Sequence, residues 1–226
     1  MPPAELPGRL RGLIAAAAAG AQGDIVRAVQ AMTRAAARPE AQEVLRAAGG
    51  IGALVEVLSF ASRAVPRLAD AVLASLVALG VLLVRVDGLP LFREAGGVGV
   101  VGGILAVEAD AGVAAAAASA LWLALEGENA CAGAFLRDVG YGCLTGAMRA
   151  HAHSPEVLWP LVCCVSGALN GVEEEIDEES SGGESEGDGN EEEDESVKGD
   201  AARAFVSGWV EVMLDHYPRD SRIVEE

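Results

Sequence analysis

The chain has 226 residues, about half of them apolar and only 4% aromatic, and a formal net charge of −18. That length suits one domain or two, with a core filled mainly by alanine, valine and leucine. Fourteen of the 34 acidic residues lie between Glu173 and Ser196; outside that run 20 acids face 16 bases, and neither part carries the basic stripe that nucleic-acid binding requires.

Residues 1–23 admit two readings. Arg9 and Arg11 precede Leu13-Ile14 and a run of alanines, which is either a first helix or a targeting peptide directing the chain to an organelle. Glu5 within the charged part and the weak apolar character of alanine favour the helix. Asp24 is placed to cap a helix through Ile25, Val29 and Met32 to about Arg38. Pro39 suits the first turn of a short helix ending at Gly49-Gly50. Ile51, Leu54, Val55 and Leu58 mark one face of the next helix. Pro66 opens a longer one with Leu68, Val72, Leu76, Leu79 and Leu83 inward.

This order returns. Arg46-Ala47-Ala48-Gly49-Gly50-Ile51-Gly52-Ala53-Leu54 recurs as Arg93-Glu94-Ala95-Gly96-Gly97-Val98-Gly99-Val100-Val101, and in worn form as Arg137-Asp138-Val139-Gly140-Tyr141-Gly142-Cys143-Leu144. The steps, 47 and then 43 residues, fall in the range of helical repeats. Short helices are expected at Leu89 to Ala95 and Asn129 to Val139, medium ones at Gly97 to Val107 and Tyr141 to His151, and long ones at Gly112 to Glu126 and Pro155 to Asn170. Repeats therefore cover residues 24–172. Residues 173–198 are an acidic insertion between repeats, expected to be disordered because its composition buries too little area to offset ordering entropy. Residues 199–226 hold a truncated fourth unit, with Phe205, Trp209, Val212 and Met213 capping the stack.

The chain resembles the armadillo-repeat family in Leu91-Phe92-Arg93-Glu94-Ala95-Gly96-Gly97-Val98 and in Ala120-Leu121-Trp122-Leu123-Ala124-Leu125 with Glu128-Asn129. The resemblance implies an all-α, right-handed superhelical solenoid whose third helices line a concave, protein-binding groove. In that family's nuclear-import adaptors, a Trp and an Asn four residues later hold basic peptides. Here Trp122 is followed by Glu126, and the matching pair in the third unit is Ser166 and Asn170, so the ladder is mostly missing. The implied groove residues are Trp122, Glu126, Ser166 and Asn170, and Glu126 points to a protein partner of basic character.

Other residue sets carry less. Trp159, beside Pro160, reads as packing. His151 and His153 read as helix-end residues. Cys131, Cys143, Cys163 and Cys164 lack metal-ligand spacing and read as buried thiols in a reducing compartment, cytoplasmic or nuclear. Ser181 and Ser185 each precede an acid by three residues and are candidate phosphate acceptors. No nucleophile or acid–base set suggests an enzyme, no cofactor or metal is expected, and no apolar run reaches the length of a membrane span. The expected function is a non-catalytic scaffold; the alternative is a structural subunit docking through its end faces.

Overall fold

The computed structural model describes residues 2–16, 22–64 and 68–180, with side chains to Leu169 in the last stretch. The described residues are helical throughout, with short connections and no strand. The helices are α1 (Leu6–Ala16), α2 (Gln22–Ala36), α3 (Pro39–Ala47), α4 (Gly50–Arg63), α5 (Ala69–Leu83), α6 (Leu89–Glu94), α7 (Gly97–Val107), α8 (Ala111–Gly127), α9 (Asn129–Asp138), α10 (Tyr141–Ala150) and α11 (Pro155–Ser180).

The recurring phrase builds a recurring corner. Among the described residues, the backbone takes positive φ at Gly49 (78°), Gly96 (71°) and Gly140 (74°), one in each copy of the phrase. The first two are left-handed residues that separate a short helix from the next. A Cβ makes that conformation costly, which is why glycine stands there. The helix pairs on either side bend by similar angles, 75° across Gly49 and 80° across Gly96. Gly140 makes the third corner with ψ 166°, outside the left-handed helical basin, as its altered neighbours foreshadow.

Helices of equal rank then stack. α2, α5, α8 and α11 form one row; α1, α4, α7 and α10 form a second row packed on the first. A single apolar core runs between the rows, with Ile25, Leu54, Leu79, Leu121 and Leu161 all withdrawn from solvent. Small residues allow the close approach. A Cβ on Gly167 would meet the Leu125 carbonyl carbon at 3.0 Å and the Glu126 nitrogen at 3.1 Å, so α11 lies against α8 almost backbone to backbone.

In the first two units, the short helix is tied to the start of the next unit by an ion pair. Arg46, its side chain only 5% exposed, reaches Asp87 at 3.4 Å, just before α6. Arg93 reaches Glu128 at 3.3 Å, just before α9. Arg137 holds the same place in the third copy of the phrase and is exposed.

Several expectations need correction. Asp24 is not the helix cap: α2 starts at Gln22, and Asp24 sits in the first turn, paired with Arg27. The third long helix does not end at Asn170, and disorder does not begin at Glu173. α11 continues through Gly171 and the first acids to Ser180. Glutamate is a good helix former, and a solvated helical extension needs no burial of its side chains. Residues 1–23 contain the helix α1, whose Leu6 and Leu10 enter the core. Pro66, Ser181, Ser185 and the proposed capping unit at 199–226 lie outside the described residues.

A corner glycine and a helix-interior glycine with open space around it should respond oppositely to the same substitution. Gly96→Ala is expected to lower stability by about 1 kcal/mol, because it forces a Cβ into positive φ. Gly103→Ala, inside α7 with nothing within 4 Å of its Cβ, is expected to raise stability by up to about 1 kcal/mol. Urea unfolding followed by circular dichroism measures both; equal losses would mean that Gly96 does not set the corner.

Candidate functional site

The row α2–α5–α8–α11 has one face against the second row and two flanks against its neighbours. What remains is a solvent-facing stripe. On α5 it shows Leu73 (38% exposed) and Val77 (45% exposed), one turn apart. On α8 it shows Ser119, Trp122 and Glu126, again at 3–4 spacing. Trp122 is half-buried: its ring packs on the core while part of it stays in water. Glu126 and Ser166 are exposed. The close approach of Gly167 to the Leu125–Glu126 backbone places its neighbour Ser166 at the α8–α11 seam. The side chain of Asn170 lies outside the described part.

Trp159 is the principal surprise. It is 53% exposed, not packed. Its helix turns Val157, Leu158 and Leu161 inward, and the 3.6-residue period then carries Trp159 to the outer stripe. Pro160 lies within α11 beside it and is buried. The spacing of Val157, Leu161 and Cys164 was a usable signal: with those three inward, position 159 faces out.

A second concavity went unread in the sequence. On the opposite row, Ile14, Val55, Ser59, Phe60, Arg63 and Val100 line an open groove of about 630 Å³ between α4 and α7. Its polar groups are Glu56, Ser59 and Arg63, and Glu56 is engaged by Arg11 at 3.0 Å. No single helix among the described residues is long and apolar enough to cross a membrane.

The thiols and histidines do not converge. Among the described residues no group of three or more His, Cys, Asp or Glu could hold a metal ion. None of the four cysteines forms a disulfide. Cys143 and Cys164 donate to the Gly102 and Ala118 carbonyls of the preceding unit, each at 3.3 Å. Cys131 donates to Glu128 at 3.2 Å. His151 is buried at the end of α10, its Nε2 2.9 Å from the Glu108 carbonyl oxygen, so it joins two units and does not face a pocket.

No family model matches the chain, and no curated protein matches it. Among solved structures it is similar to an engineered protein, at 20% identity and a TM-score of 0.58, over 71% of this chain. The chain spans 62% of that protein's length. A likeness at that identity speaks to the helical fold alone.

Burial raises the thiols: Cys131 to about 12, helped by the hydrogen bond and charge of Glu128, and Cys143 to about 11. Cys164 rises well above its ordinary value for the same reason. A folded-state value above the unfolded one means the folded chain keeps its proton longer. That stabilisation is complete below about pH 9 and disappears as pH rises through 9 toward 11, by about 1.4 kcal/mol per pH unit per thiol while only the unfolded form titrates. The urea midpoint should therefore hold steady from pH 7 to 8.5 and fall between pH 9 and 11. A Cys131→Ala, Cys143→Ala, Cys164→Ala variant should fall less steeply; an identical profile would show the thiols to be solvated.

Proposed function

We propose that the chain is an armadillo-like α-solenoid acting as a non-catalytic protein-interaction module. It takes an extended, basic segment of a partner along the stripe of α5, α8 and α11, which lines the concave side of a right-handed superhelix. The observation that carries this reading is the row of large apolar side chains held at the surface. Leu73, Val77 and Trp159 are exposed and Trp122 is partly so, on consecutive helices of one row, and large exposed apolar side chains gathered on one face mark interaction sites.

The chemistry of the stripe suits a peptide. Tryptophans supply contact area at low entropic cost and dominate binding hot spots. Glu126 and Ser166, at the α8–α11 seam, supply a carboxylate for a Lys or Arg and a hydroxyl for a backbone group. The acidic run would raise the rate of encounter with a basic partner, an effect that salt screens. Four thiols without a disulfide agree with a reducing compartment, cytoplasmic or nuclear. The competing reading, a subunit that docks through its end faces, predicts obligate association in light scattering, whereas the peptide-binding module can be a monomer.

Selection of peptides from a random displayed library tests the stripe directly. Recovered sequences should be enriched in Lys and Arg. Trp122→Ala with Glu126→Lys should weaken them at least about tenfold while helicity is retained, because a hot-spot aromatic and a charge are lost together. Trp159→Ala alone should weaken them without destabilising the fold. Undiminished binding by the double variant would overturn the assignment.

A further inference from the structure

At the opposite end of the row, the structure builds a basic groove in an acidic protein. Arg9 of α1 and Arg27, Arg34 and Arg38 on and just after α2 line one concavity of about 480 Å³. Its floor is small and apolar: Leu6, Ala28, Ala31 and Ala35. The spacing explains the arrangement. Positions 27, 31 and 34 fall on one stripe of α2, Arg38 follows in extended backbone just after that helix, and Arg9 comes in from the neighbouring helix. All four arginines are exposed. Arg27 is held by Asp24. Among the described residues, Arg9, Arg34 and Arg38 make no ion pair, although Glu5 and Glu40 are near them in the chain.

We propose that this groove binds the chain's own acidic run, residues 181–196, folded back across the row. The run carries eight carboxylates and no base. Guanidinium forks converging on a floor of alanines suit an extended acidic segment, since Arg binds carboxylates in two-point fashion. The reach is sufficient. α2 and α11 are three helix spacings apart, about 30 Å at 8–10 Å each. Sixteen residues starting after Ser180 extend about 50 Å. A tethered segment meets the groove at an effective concentration of about a millimolar, which favours the cis arrangement over capture of the run of a second copy. This inference goes beyond the peptide-binding stripe and does not depend on it.

The test uses a fluorescein-labelled synthetic peptide of residues 181–196 and fluorescence anisotropy at 50 mM NaCl. Two full-length hosts are compared: the natural chain, and one in which the eight acids of the run are changed to Gln or Asn, which leaves the groove vacant. The vacated chain is expected to bind the peptide at least about tenfold more tightly than the natural chain, because the natural run competes at high effective concentration. Adding Arg34→Glu and Arg38→Glu to the vacated chain, or raising salt to 500 mM, is expected to cut affinity about tenfold or more. Both arginines are exposed, so helicity should not change. The proposal is overturned if the vacated chain does not bind, if the arginine changes have no effect, or if both hosts bind equally. It is also overturned if binding in the natural chain brings concentration-dependent mass in light scattering, which means capture between copies, or if an RNA oligomer of equal charge binds the groove more tightly than the peptide.

Discussion

The whole arrangement depends on a backbone corner that only glycine takes without strain. Gly49 and Gly96 let each short helix reverse into its successor at nearly the same angle, 75° and 80°. Because the angle repeats, each unit presents the same two faces as the unit before. Equal-rank helices can then stack in rows with one continuous core. A residue with a Cβ at either corner would pay to enter positive φ, and a different angle would turn the following helix away from its row. Burial supplies most of the stabilisation, but the corner decides which surfaces can be buried.

Much of this was legible in the chain because the corner leaves a short phrase that survives repetition. Counting from it located each of α6 to α10 within a residue, whereas α5 begins at Ala69 and not at Pro66. The limits of that legibility have physical causes. The end of α11 was misplaced because composition speaks to burial and not to local helix propensity; Glu173 to Glu179 cannot build a core, yet nothing stops them from prolonging a helix that is already nucleated. The Arg46–Asp87 and Arg93–Glu128 pairs were invisible for another reason. They join residues 41 and 35 positions apart, at a spacing that becomes a contact only after the corner has folded.

The candidate site was read less well than the fold. Position along a long helix singles out Trp122, Glu126 and Ser166; Glu126 and Ser166 are exposed, and Trp122 is partly buried against the core. Trp159 was assigned to packing because tryptophans are usually well buried, yet the phase of Val157, Leu161 and Cys164 sends it outward. Charge was legible only as an average. With the acidic run set aside 20 acids face 16 bases, but residues 1–64 hold seven arginines against five carboxylates, and folding gathers four of those arginines around one groove. Net charge averages over what helix phase separates.

That separation has a consequence for any basic partner. The acidic run can be engaged by the arginine groove or by the partner, and not fully by both. If the groove holds the run nine-tenths of the time, the run is free one-tenth of the time. Its apparent affinity for the partner then drops about tenfold, or about 1.4 kcal/mol, with no change in the stripe of α5, α8 and α11. A basic segment reaching Trp122 and Trp159 could recover that loss by adding apolar contact, whereas a merely basic polymer could not. On this account the groove would filter partners by demanding hydrophobic anchors as well as charge, and phosphate on Ser181 or Ser185 would tighten the filter by adding charge to the run.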